Sequence, residues 1–252
     1  MELFFSEQGT GYPVILLHGF PFDHLLWEPM EKFLPGDNRF IFPDVRGFGK
    51  SLAKKSDYLM EDMAKDIIQL LDAEGVRKAI IGGHSMGGYI ALEILRQAPN
   101  RLDGIILVAS HIYADTEEKQ SERFNTIEQI DFRSPIELLG GMPNKLSTDE
   151  IVQTYCKKMV EKSKAIGVKG ALRAMAKRQS SENLWITAAT PKLIIAGDND
   201  QFIKPEIIEK MAINGRNVLK IIIKDAGHML MREKPEATAN ALKDFIHQIR
   251  SR

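Results

Sequence analysis

One serine stands where covalent chemistry needs it. In the run Gly83-His84-Ser85-Met86-Gly87, extended by Gly88, a hydroxyl is flanked by glycines two residues away on each side. The residues before it, Lys78-Ala79-Ile80-Ile81-Gly82, read as a short apolar strand, and those after it, through Tyr89-Ile90-Ala91-Leu92, read as a helix. A serine at such a junction sits on a sharp turn that lifts its hydroxyl out of the sheet. Glycines on either side let strand and helix approach without side chains colliding. The bland alternative, a buried serine in a glycine-rich turn, explains neither the strand before nor the helix after.

A serine hydroxyl is a poor nucleophile near neutral pH and needs a base within hydrogen-bond reach, usually a histidine held in one tautomer by a carboxylate. Six histidines compete: His18, His24, His84, His111, His228 and His247. His228 follows the apolar run Leu219–Ile223 in the loop Lys224-Asp225-Ala226-Gly227-His228, beyond the same end of the sheet as Ser85. His247 falls in the terminal helix, and His24 and His111 are loop residues with no supporting pattern. His84 adjoins the serine on a tight turn, where neighbouring side chains diverge, so packing suits it better than proton transfer. For the carboxylate, Gly197-Asp198-Asn199-Asp200 follows another apolar run, and spacing leaves Asp198 and Asp200 both open, with Asp225 and Asp115 as outside alternatives.

The elements that must position these groups are legible as apolar runs. Pro13–Leu17, Arg39–Phe42, Ala79–Ile81, Ile105–Val108, Lys192–Ile195 and Leu219–Ile223 read as strands. They are continuously apolar rather than alternating, which fits strands covered on both faces of a largely parallel sheet. Helices read over Tyr58–Glu74, Met86–Gln97 and Pro235–Ile249, giving an α/β fold with helices on both faces. The stretch 111–190 breaks the alternation and is too long for a structureless loop. Ser147-Thr148-Asp149-Glu150 fits a capping box, and Ile151, Val152, Tyr155, Cys156, Met159 and Val160 follow at helical spacing. Val168, Ala171, Leu172 and Met175 form a second stripe, and Phe124, Ile127 and Ile130 a weaker first one. The reading is a core of 1–110 and 191–252 with a helical lid over 111–190, packed on the sheet's C-terminal edge.

Composition narrows the function. The 252 residues are 44% hydrophobic and 27% charged, as in ordinary soluble globular domains. Lys and Arg total 34 and so do Asp and Glu, which leaves no basic excess for nucleic acid or an anionic membrane. A single cysteine, Cys156, excludes an internal disulfide and suits a reducing compartment. The N-terminal residues lack a signal-peptide pattern, and no apolar run is long enough to span a bilayer. A cytoplasmic protein is the expectation. Gly49-Lys50-Ser51 imitates the end of a phosphate-binding loop, but the glycine that loop requires falls at Asp44, whose charge would repel phosphate. No spacing of His, Cys or carboxylates resembles a zinc or calcium site, and no cofactor is expected.

Taken together, the chain resembles the α/β-hydrolase family over nearly its whole length. Leu17-His18-Gly19-Phe20-Pro21 resembles the family's oxyanion-loop motif, and Asp44-Val45-Arg46-Gly47-Phe48-Gly49-Lys50-Ser51 its D-x-R-G-x-G-x-S segment. Gly83–Gly88 matches the nucleophile elbow. Gly197–Asp200 matches the G-x-x-D acid loop, and Gly227-His228 with Pro235-Glu236 the histidine loop and final helix. The resemblance implies Ser85 as nucleophile, His228 as base and, three residues after the glycine, Asp200 as the orienting acid. It also implies an oxyanion hole of two backbone N–H groups, on Phe20 and Met86. His18 would brace the oxyanion loop. Phe22, Trp27 and Trp185 are candidate apolar walls of the substrate pocket, equally compatible with ordinary packing. Met142, Met159 and Met175 are core-fillers first and candidate pocket residues second.

The function implied is hydrolysis of a small ester or lactone through an acyl-enzyme, with a small acyl compound as the partner. Carbon–carbon bond hydrolysis, thioester hydrolysis and perhydrolysis use the same triad. A slow-turnover receptor or scaffold of the same fold is the alternative from another class. Dehalogenation is disfavoured, because those relatives carry an aspartate where this chain has Ser85.

Overall fold

The computed structural model describes residues 1–251. Seven strands form one sheet: β1 (Phe5–Gln8), β2 (Tyr12–Leu17), β3 (Asn38–Pro43), β4 (Ala79–His84), β5 (Leu102–Val108), β6 (Lys192–Gly197) and β7 (Val218–Ile223). Their spatial order is β1-β3-β2-β4-β5-β6-β7. Every pairing is parallel except β1 with β3, where Phe5 lies opposite Pro43 and Gln8 opposite Phe40. The six apolar runs are strands as read. β1 is an addition: four residues with only partial burial leave no apolar signature.

Successive strand residues face opposite layers, and the two hydrophobic cores divide accordingly. Ile15, Leu17, Ile41 and Ile81 join the core on one face, with α2 (Met60–Ala73) and α3 (Met86–Gln97). Val14, Leu16, Phe40 and Ile80 join the other, with α1 (Glu28–Glu31) and the α11 (Leu230–Glu233) and α12 (Pro235–Arg250) pair, whose Leu242, Phe245 and Ile246 are buried. Burial on both faces is why these strands read as unbroken apolar runs.

Between β5 and β6 lie six helices: α4 (Glu117–Gln129), α5 (Pro135–Leu139), α6 (Met142–Leu146), α7 (Glu150–Lys162), α8 (Ala165–Lys177) and α9 (Glu182–Thr187). The stripe Val168, Ala171, Leu172 and Met175 is buried on α8. Two local readings need correction. The cap of α7 is Asp149, whose carboxylate accepts the N–H groups of Ile151 and Val152, while Ser147 Oγ accepts the Asp149 N–H. A charged acceptor closer to the first turn displaces the serine from that role. Ile151, read at helical spacing with these residues, is 82% exposed, because it lies off the helix face that Val152, Cys156, Met159 and Val160 bury.

The two ends of this helical stretch are tied together. Asp115 Oδ1 meets the Arg178 guanidinium at 2.8 Å, and the Ser181 N–H donates to Ile112 O at 2.7 Å. Pro205–Asn214 forms α10, after β6. Among the described residues no helix is long and apolar enough to cross a membrane.

Candidate active site

β4 and α3 meet at Ser85, whose backbone stands at φ 50° and ψ −112°. That is a strained conformation for a non-glycine residue, costing on the order of 1–3 kcal/mol. The surroundings hold it: the Ser85 N–H donates to Val108 O at 2.9 Å, and Ser110 Oγ donates to Ser85 O at 2.8 Å. A Cβ on Gly83 would lie 2.1 Å from the Gly87 carbonyl carbon, and one on Gly87 would lie 2.3 Å from Leu17 O. Only hydrogen fits at either position, so the glycine spacing follows from the crossing of strand and helix.

Two backbone N–H groups near this turn are left without a protein acceptor among the described residues. Met86 is the first residue of α3, so its N–H has no acceptor within the helix. The Phe20 N–H has no acceptor among the described residues, whereas the Phe22 N–H donates to Gly19 O at 2.9 Å. His18 fixes this loop. Its Nε2 accepts the Val45 N–H at 2.9 Å, so its proton sits on Nδ1 and is donated to Gly19 O at 2.9 Å. Complete burial lowers its affinity for a second proton.

His228 follows β7 on a loop anchored by its N–H to Leu146 O at 3.1 Å. Its Nδ1 lies 2.8 Å from Asp200 Oδ2, with both side chains buried. The second oxygen, Oδ1, accepts the N–H groups of Phe202 at 2.7 Å and Ile203 at 3.1 Å. Asp198 turns away and accepts the Ala226 N–H at 3.3 Å. The structure thus puts Asp200, not Asp198, on the imidazole. With Nδ1–H given to the carboxylate, Nε2 is the free basic nitrogen. Ser85 and His228 line the same cavity, of about 800 Å³. No hydrogen bond joins Ser85 Oγ to His228 Nε2 among the described residues, and such contacts commonly close only around substrate.

The family model described as the alpha/beta hydrolase fold matches residues 12–235. The chain belongs to that family. A solved esterase from Thermogutta terrifontis, described as malate bound, is 32% identical with a TM-score of 0.94, over 98% of this chain and 93% of that one. An (E)-2-((N-methylformamido)methylene)succinate hydrolase of Acinetobacter baylyi is 23% identical over 96% of this chain and 93% of its own length. Lipase 1 of Psychrobacter immobilis is 28% identical over 97% of this chain and 80% of its own.

Within this alpha/beta hydrolase the remaining candidates fall elsewhere. Phe22, Trp27 and Trp185 do not line the cavity; all three have no exposed surface. Phe22 stacks with Tyr155 in the core beneath α7, and Trp27 packs in that same core. Trp185 belongs to the opposite core and donates its indole N–H to Met211 O at 2.9 Å. Closeness in sequence to the oxyanion loop is no guide to which way a large ring turns. Replacing Trp185 with alanine is expected to destabilise the fold by about 3–5 kcal/mol in urea unfolding. KM for a short ester should stay within twofold of wild type, whereas a several-fold rise would return the ring to the pocket.

The walls come instead from the helical stretch and the acid loop: Leu138, Leu139, Met142, Leu172, Met175 and Ile203, with Phe20 beside the serine. Of the three methionines weighed for the pocket, Met142 and Met175 line it, and Met159 is buried in the core. Sequence reading missed Phe202, whose ring centroid lies 4.9 Å from that of His228, and Tyr89. Tyr89 could have been found by helical spacing, since it stands one turn beyond Ser85 on α3.

His84 is neither base nor ligand. Its Nε2–H donates to the His228 carbonyl at 3.0 Å, and its buried Nδ1 has no partner. Burial, then the nearby His228, push its pKa well below the ordinary imidazole value, so it stays neutral. Asp44 ends its own turn by accepting the His24 and Lys50 N–H groups at 2.8 Å each, and it holds His24 Nδ1 at 2.7 Å. Asp23, His24 and Asp44 bring three potential ligand atoms within 4.8 Å of one another. The Asp44 oxygens are already spent on these donors.

Proposed function

We propose that this chain hydrolyses carboxylic esters, a small ester or lactone being the substrate, through an acyl-enzyme on Ser85. The observation that carries the reading is the Asp200–His228 pair, 2.8 Å apart and buried, at the cavity that Ser85 also lines. The relatives described as an esterase and a lipase support it.

In this reading Ser85 Oγ attacks the ester carbonyl carbon while His228 Nε2 takes the hydroxyl proton. Asp200 holds Nδ1–H and stabilises the imidazolium that forms. The carbonyl electrons move onto oxygen, which the Phe20 and Met86 N–H groups receive, each such donor contributing about 3 kcal/mol in the transition state. Collapse of the intermediate breaks the ester C–O bond, and His228 returns its proton to the leaving alcohol. Water, deprotonated by the same nitrogen, then releases the acid and restores Ser85. The helices over 111–190 serve as a lid that excludes bulk water. We infer a cytoplasmic enzyme, a reading supported by the single, buried and unpaired Cys156.

An alkyl fluorophosphonate tests the reading. One equivalent should attach to the peptide bearing Ser85 and abolish turnover of 4-nitrophenyl esters. Full turnover by labelled protein, or label on another residue, would overturn it.

A further inference from the structure

Tyr89 lines the cavity that holds Ser85, and its hydroxyl lies 3.0 Å from His111 Nε2. The direction of that bond is fixed at the other ring nitrogen. His111 Nδ1 accepts the Tyr113 N–H at 3.2 Å and therefore carries no proton. The imidazole is neutral, because burial, with Arg178 nearby, lowers its pKa to about 4. Its single proton is on Nε2 and is donated to Tyr89 Oη. The phenol is thus an acceptor towards His111, and its own O–H has no acceptor among the described residues.

The surroundings say what that proton awaits. The Arg178 guanidinium lies 4.0 Å from the centroid of the Tyr89 ring, held by Asp115 at 2.8 Å and by Met175 O at 2.6 Å. A cation against the ring strengthens the phenol as a donor. Lys119, Arg123 and Lys145 also line the cavity. The carboxylates that share this wall are occupied: Asp115 by Arg123 and Arg178, Glu122 by Lys119 at 2.6 Å. Lys145 has no ionic partner among the described residues. An unspent donor beside surplus positive charge suits an anionic acceptor.

We propose that Tyr89 is a substrate-directed hydrogen-bond donor and that the cavity selects esters carrying a second, ionised carboxylate, the half-esters of dicarboxylic acids. This rests on the ester-hydrolase reading of the same cavity. The carboxylate engages the Tyr89 O–H, with Lys145 supplying longer-range attraction.

Two measurements test it. Wild type should prefer 4-nitrophenyl hydrogen adipate over 4-nitrophenyl hexanoate in kcat/KM, and Tyr89→Phe should shrink that ratio about tenfold, the usual effect of losing a hydrogen bond to a charged group. An unchanged ratio in a folded Tyr89→Phe protein overturns the proposal. Calorimetry on Ser85→Ala needs neither turnover nor a change at Tyr89. Monomethyl adipate should bind at least about tenfold more tightly than dimethyl adipate, and equal binding overturns the proposal. Brisk hydrolysis of the hexanoate without preference for the half-ester defeats this selectivity alone. Preferential binding of the half-ester by Ser85→Ala, with no hydrolysis of either ester by wild type, supports the carboxylate site and defeats the hydrolytic reading instead.

Discussion

Asp200→Asn lowers kcat on a short ester by about 10⁴-fold, with KM within a few-fold of wild type. The size of the loss follows from how the carboxylate is held. Asp200 Oδ1 accepts two backbone N–H groups, from Phe202 and Ile203, and Oδ2 faces His228 Nδ1. An asparagine must keep its carbonyl oxygen on the two N–H groups, which turns its NH₂ towards Nδ1. The imidazole then has to accept at Nδ1 and carry its proton on Nε2, the nitrogen that should receive the serine proton. The geometry survives and the tautomer is wrong. Asp198→Asn, which touches only the Ala226 N–H at 3.3 Å, is expected to cost less than about tenfold. Steady-state kinetics on the two variants, with thermal unfolding to confirm that both fold, provide the check. A larger loss from Asp198→Asn would reverse the assignment.

The contrast between these two aspartates shows where sequence reading stops. Spacing put both on the loop after β6, and only the resemblance to the family favoured Asp200. The structure separates them through a turn: two backbone donors beyond residue 200 capture one carboxylate oxygen and aim the other at His228. The sheet was far more legible, since strands buried on both faces must be apolar throughout, as Ile15 with Leu16 and Ile80 with Ile81 are. The elbow was legible because Gly83 and Gly87 answer a steric demand at fixed positions.

Less could be read where long-range packing decides. Trp27 and Trp185 look like pocket walls from their neighbours in the chain, yet the two sheet faces claim them. The cavity is lined instead by Leu138, Leu139, Leu172 and Met175, carried in from helices whose arrangement no local pattern specifies. Ser147 and Asp149 competed for one helix cap, and the carboxylate nearer the first turn won. Helical spacing could place Tyr89 one turn beyond Ser85, but not its hydrogen-bonding role, which is set by His111 and Tyr113 beyond the following strand.

Removing the Ser85 hydroxyl should have a still larger effect. Ser85→Ala deletes the attacking atom and leaves the Asp200–His228 pair and the two backbone donors in place. Losses of a nucleophile that acts as one unit with its base run to about 10⁶-fold in kcat. Folding should be little affected, because the bonds that hold this turn are made by the backbone of residue 85, to Val108 O and from Ser110 Oγ. The central claim is that this one oxygen forms the bond to the acyl carbon. Its most direct test is kcat of Ser85→Ala on a 4-nitrophenyl ester, measured on protein whose thermal unfolding matches wild type. A fall of about 10⁶-fold is the predicted result, and turnover within tenfold of wild type would contradict the account.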